Sequence, residues 1–137
     1  MIQVKNDLRI AKRTDILTVN RILNHRDVRP TIGLPQAGKL DVSETFSQYH
    51  VVLFSRSLFL MEPVDEFTIE CHAAVVPEDR GKCAIEAAMQ VLGMMFTQSN
   101  VSQFLAKTNT PEAAAFAKQV GFHRMGRKDP WEFWSLS

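Results

Sequence analysis

The stretch from Phe67 to Gln98 constrains the fold more than any other part of the chain. Residues Phe67 to Val76 alternate, with Phe67, Ile69, Cys71, Ala73 and Val75 on one face and Thr68, Glu70, His72, Ala74 and Val76 on the other. That period of two predicts a β-strand. Pro77 ends it, because proline has no N–H for a sheet ladder. A helix is expected from about Lys82 to Gln98, where Ile85, Ala88, Met89, Leu92 and Phe96 recur at three- and four-residue spacing. Ala84, Ala87, Val91 and Met95 broaden its stripe. A helix so apolar has to be covered, and a sheet is the natural cover.

The remaining segments supply that sheet. A strand-like segment runs from Val4 to Ala11, and Asp15 is expected to N-cap a helix through Ile16, Val19, Ile22 and Leu23. From His25 to Ser47 the pattern is weak and broken by Pro30, Gly33, Pro35 and Gly38, so a long loop with one short helix is expected. His50–Ser55 and Leu58–Met61 read as a hairpin turning at Ser55-Arg56-Ser57. Val101–Lys107 reads as a strand. Thr110 then caps a helix with Pro111 in its first position, and Gly121 closes it. Phe122–Met125 and Trp131–Leu136 are two closing strands around Lys128-Asp129-Pro130. This order predicts an α/β (α+β) fold with a mixed sheet, in one domain over residues 1–137.

Composition narrows the functional classes. A chain of 137 residues, 45% hydrophobic and 23% charged, has the make-up of a globular protein and excludes a disordered tail or a fibre. No stretch approaches the ~20 apolar residues of a membrane span. The opening MIQVKNDLRIAKR has charges where a signal peptide needs its apolar run, so a cytoplasmic location is expected. Sixteen Lys and Arg against fifteen Asp and Glu leave a net charge of +1, without the concentrated positive charge that nucleic acid binding needs. Cys71 and Cys83 are too few for a disulfide framework and read as reduced thiols. Neither they nor His72 fall at metal-ligand spacing, so no metal is expected. Gly33 to Lys39 imitates a phosphate-binding loop, but Leu40 stands where a magnesium-binding hydroxyl belongs and no apolar strand precedes Gly33. It reads as a surface loop.

Val75-Val76-Pro77-Glu78-Asp79-Arg80-Gly81-Lys82 joins the predicted strand to the predicted helix. Such a turn presents N–H groups at the positive end of a helix dipole, which favours a pyrophosphate. The segment resembles motif A of the GNAT superfamily, the acyl-coenzyme A-dependent N-acetyltransferases. Asn109, Ala113 to Ala115 and Gly121-Phe122 resemble that family's second signature. The resemblance implies a mixed, mostly antiparallel sheet, splayed between its fourth and fifth strands, with helices on both faces. It implies acetyl-CoA as co-substrate, held by Arg80, Gly81, Lys82, Cys83 and the backbone near Val75 and Val76, with Asn109 placing the pantetheine arm or a water. Two features depart from the family pattern. Cys83 and Ile85 occupy positions that usually carry glycine or another small residue. Ala117 stands where many members carry a tyrosine that protonates the leaving thiolate, and the neighbouring Phe116 has no proton to give.

The chemistry implied is acetyl transfer to a small-molecule or protein amine. Glu70 and His72 share a strand face, so Glu70 is expected to take the amine proton, with His72 orienting or substituting for it. A carboxylate with the ordinary pKa of ~4.3 is a weak base at neutral pH, and burial would have to strengthen it. Trp131, Phe133 and Trp134 are expected in the core. The departures at Cys83, Ile85 and Ala117 support an alternative of another class: a GNAT fold kept as a non-catalytic binding or structural module. Small GNAT-like proteins of tailed phages resemble the Thr68–His72 segment, which implies a virion-associated protein with a phage particle, or a second copy of the chain, as partner.

Overall fold

The computed structural model describes residues 8–34 and 37–137. The apolar alternation predicted for the middle of the chain builds a seven-stranded sheet in the order β1-β2-β3-β4-β5-β7-β6. The strands are β1 (Arg9–Ile10), β2 (His50–Phe54), β3 (Ser57–Pro63), β4 (Thr68–Ala74), β5 (Gln103–Thr108), β6 (His123–Lys128) and β7 (Trp131–Leu136). Every neighbouring pair is antiparallel except β4 and β5, which run parallel. The α-helices among the described residues are α1 (Ile16–Leu23), α2 (Lys82–Gln98) and α3 (Pro111–Val120).

Helices cover both faces, and β4 feeds a core on each side as its alternation requires. Ala74 and Val76 join Val19, Ile22 and Leu23 of α1 and Leu58 and Leu60 of β3. Ile69, Cys71, Ala73 and Val75 face the opposite layer, with Ala84, Ala87, Ala88, Val91 and Leu92 of α2 and Phe104 of β5. The small side chains of α2 let its backbone lie close to the sheet. The bounds predicted for α2 hold at both ends. Those of α3 hold for local reasons: Thr110 Oγ1 accepts from Ala113 N at 3.1 Å, and Gly121 takes a left-handed φ of 118° that L side chains resist.

Three expectations are corrected. Asp15 does precede α1, but its carboxylate does not cap that helix. It accepts from Lys12 N at 2.8 Å and from both terminal nitrogens of Arg9 at 2.9 Å, tying β1 to the turn that follows. The Arg9 guanidinium, with the Lys12 amide, holds the Asp15 carboxyl well below the usual carboxylate range. The first strand is only Arg9–Ile10, residues 4–7 of the predicted segment lying outside the described residues. The hairpin turns on Ser55 and Arg56 alone, and β3 runs on to Pro63, past the predicted end at Met61.

The 25–47 loop is held in place by side chains rather than by periodicity. Asn24 accepts from Leu40 N at 2.6 Å and donates to Leu40 O at 2.7 Å, while Asn20 accepts from Val42 N at 2.9 Å. Both asparagines stand in for a neighbouring strand. Val28, Ile32, Leu40, Val42 and Phe46 are thereby pressed into the α1 core layer.

Phe104 sits at the centre of the opposite layer, fully buried and edge-on to Phe96 with centroids 4.8 Å apart. Phe104→Ala is expected to cost about 3–5 kcal/mol of unfolding free energy in urea titration.

Candidate active site

The parallel ladder between β4 and β5 lasts only three pairs: Thr68 with Gln103, Ile69 with Phe104, Glu70 with Leu105. Beyond Glu70 the two strands part while each keeps its outer neighbour. β4 remains paired with β3 as far as Ala74, and β5 with β7 as far as Thr108. Alternate backbone groups on the parted edge of β4 therefore face a gap instead of a strand. A cavity of about 90 Å³ occupies it, lined by Cys71, His72 and Ala73 of β4 and by Ala106, Lys107 and Thr108 of β5. Ala88, Val91 and Leu92 of α2 and Ala113, Phe116 and Ala117 of α3 form its apolar wall. Thr31, Ile32 and Gly33 close it from the other face of the sheet.

The turn at the end of β4 is built around Asp79. Its carboxylate is only 6% exposed, and it accepts from Ser55 Oγ at 2.8 Å, Arg56 N at 2.9 Å and Ser57 Oγ at 2.6 Å. Ser57 Oγ in turn accepts from Val76 N at 3.0 Å. The β2–β3 hairpin thus grips the turn from below. Gly81 then adopts φ 100°, a backbone setting that needs glycine, with open space where a side chain would be. It is the N-cap of α2 and offers no side-chain cap, so N–H groups of the first helical turn remain available to an anion.

The residues read as coenzyme-binding gather around this turn with unequal roles. Gly81, Lys82 and Cys83 form the start of α2, and the exposed Lys82 Nζ lies 3.8 Å from Glu86. Arg80 reaches back, its Nε donating to Val75 O at 3.2 Å and its Nη2 to Asp27 O at 2.9 Å. Both backbone polar groups of Val76 are satisfied internally, N–H by Ser57 and C=O by Asp79 N at 3.0 Å. Ile85 turns into the α2 core layer. Asn109, at the far end of β5, donates from Nδ2 to Pro30 O at 2.9 Å, leaving its buried Oδ1 without a hydrogen-bond donor.

Glu70 and His72 share a face next to the parting, as the alternation predicts, and the structure adds Glu62. Strand pairing sets Glu62 opposite Glu70, and Glu62 Oε1 lies 3.2 Å from Nε2 of the buried His72. One ligand atom from each of the three falls within 4.8 Å of the others, a spacing that could also hold a cation. Sequence reasoning missed Glu62 because it lies one residue beyond the predicted strand end. On the opposite face of β4, burial and the charge of Glu70 push the Cys71 thiol up. In the closing strand, Trp134 is in the core, its Nε1 donating to Thr108 Oγ1 at 2.9 Å. Phe133 is 40% exposed and Trp131 half-buried, so the predicted aromatic core holds for one of the three.

No family model matches the sequence, and no curated protein matches it. Solved structures do match the fold. The spermidine N-acetyltransferase of Vibrio cholerae, in complex with CoA and spermine, superposes with a TM-score of 0.75 at 15% identity, over 97% of this chain and 94% of that one. The ribosomal-protein-S5-alanine acetyltransferase of Vibrio fischeri gives 0.77 at 12% identity, over 99% and 94%. An aminoglycoside acetyltransferase in complex with coenzyme A gives 0.74 at 13%, over 97% and 95%. The fold is that of the GNAT superfamily.

Asp79→Ala leaves three donors without an acceptor and should cost about 3 kcal/mol, with faster hydrogen exchange at the amides of Arg56 and Val76. Cys71, held as the thiol, should resist alkylation at pH 8 in the native protein and react once the chain is unfolded.

Proposed function

We propose that this chain, which has the GNAT fold, transfers an acetyl group from acetyl-CoA to an amine. The observation that carries the reading is the parting of β4 from β5 along the strand that leads into the uncapped N-terminus of α2. An extended arm carrying amides can continue the ladder along the parted edge of β4, and a pyrophosphate can sit at the first turn of α2. The open space at Gly81 and the unpaired Oδ1 of Asn109 both suit such a molecule. The arm would be held by Val75, Gly81, Lys82, Cys83 and Asn109, with Arg80 adding charge at the turn. Val76 would support the turn through its bonds to Ser57 and Asp79.

Acetyl-CoA supplies a reactive thioester, and the fold supplies placement. Holding an amine against that carbonyl can contribute roughly 7–11 kcal/mol, so few further groups are needed. Glu70, directly or through a water, takes the proton that the amine must lose. His72 stands beside it as orienter or alternative base. As a carboxylate Glu62 accepts from Nε2 of His72, which leaves Nδ1 as the ring nitrogen not engaged by Glu62. Ala117 and Phe116 place no acid on the α3 wall, and departure as the thiolate, cheap for a thiol of ordinary pKa ~8.5, needs none from it. The amine-acetylating activities named for the spermidine and aminoglycoside enzymes support the same class of reaction.

Acetyl-CoA at 100 times its dissociation constant should stabilise the fold by about 2.7 kcal/mol, roughly 10 °C in melting temperature. A flat melting curve up to millimolar acetyl-CoA sinks the reading, and binding without any amine acetylated leaves a coenzyme-binding module. Glu70→Gln should lower kcat about 100-fold while the acetyl-CoA melting shift persists. Turnover unaffected by that change would remove Glu70 as the base.

A further inference from the structure

We infer that the acceptor amine also carries an anionic group, in the simplest case the carboxylate of an amino acid, and that Lys107 receives it. The inference rests on the acetyl-transfer reading and names the acceptor class for that same cleft.

Register places Lys107 there. Leu105 pairs with Glu70, so two residues further along the parallel strand Lys107 stands level with His72 and on the same face. Both line the cavity at the parting. Lys107 is half-buried, and among the described residues its side chain makes no ion pair and no hydrogen bond. Two apolar features hold it instead. Its Nζ lies 5.1 Å from the ring centroid of Trp131, and its stem occupies the space over Gly33, where a Cβ would come 2.1 Å from Cε and 3.1 Å from Nζ. An aromatic face attracts the ammonium but leaves its three N–H donors unspent. A half-buried ammonium with unspent donors, facing a cavity, is matched by an anion.

On the opposite side His72 lines the cavity, with the carboxylates of Glu62 and Glu70 standing next to it behind the lining. Glu62, Glu70 and His72 bring their ligand atoms within 4.8 Å of one another on the β3–β4 side of the parting. A zwitterion satisfies both sides at once, amino end toward His72 and the carboxylates beside it, anionic end toward Lys107. A polyamine would carry a second cation toward Lys107, and a neutral amine would leave the ammonium unmatched. The glycine that imitates a phosphate loop in the sequence has a different function here: Gly33 is the seat that lets Lys107 lie across the cavity mouth.

The test compares kcat/KM for the L-amino acids, their carboxamides and the matching diamines, with acetyl-CoA, in wild type, Lys107→Met and Gly33→Ala. Lys107→Met keeps the stem and removes the charge; Gly33→Ala keeps the charge and displaces the stem. For the best amino acid the wild type should prefer the acid to its amide at least 10-fold. That ratio should fall to near 1 in Lys107→Met and lie between the two in Gly33→Ala. The acetyl-CoA melting shift, read in each variant, shows that it is folded and binds coenzyme. Amides or diamines used as well as acids, or a preference that survives Lys107→Met, overturns the inference while leaving acetyl transfer standing. An acetyl-CoA shift with no acid turned over also overturns it. No acetyl-CoA shift in wild type overturns the transferase reading itself.

Discussion

Asp79 is a carboxylate almost out of reach of water, and the geometry of the cleft depends on it. It takes two hydroxyls and an amide from the β2–β3 hairpin, and through Ser57 it reaches the amide of Val76. Charged acceptors form stronger hydrogen bonds than neutral ones, and such a network is cooperative in a low-dielectric setting. The result is a rigid link from the hairpin to the end of β4 and from there to the start of α2. With the turn fixed in this way, α2 begins at Lys82 directly after Gly81, and no side chain caps its first turn.

The second constraint is the competition for the edges of β4 and β5. Each strand is held on its outer side, β4 by β3 and β5 by β7, along nearly its full length. Their mutual ladder stops at Glu70 and Leu105. Small residues on α2 and α3, among them Ala88, Ala113 and Ala117, leave space beneath the gap. The sheet therefore contains its own opening, apolar on the helical side and charged on the other. The two titratable side chains that line it on that side come from different strands, His72 from β4 and Lys107 from β5.

Much of the framework was legible in single segments. The stripe of α2 predicts Lys82–Gln98, and Thr110, Pro111 and Gly121 bracket α3, because periodicity and capping depend on residues within a few positions of each other. The two faces of β4 were legible for the same reason. Asp15 does not act as the cap its position suggests: its carboxylate prefers the guanidinium of Arg9 in β1 to the helix it precedes. Asn20 and Asn24 gave no sign that they would hold the 25–47 loop, since their partners lie 16 to 22 residues away.

Local order along the chain determined the element types, the alternation that splits the core into two layers, and the turn that starts α2 at Gly81. Which side chains meet was decided only by tertiary structure. Glu62 reaches His72, and Lys107 comes level with it across the gap, because strand register aligns them. Gly33 lies beneath Lys107 because a distant loop folds back over β5. A strand's pattern says which face a residue takes. Its neighbour on that face depends on a partner strand and a register that no short window of sequence contains.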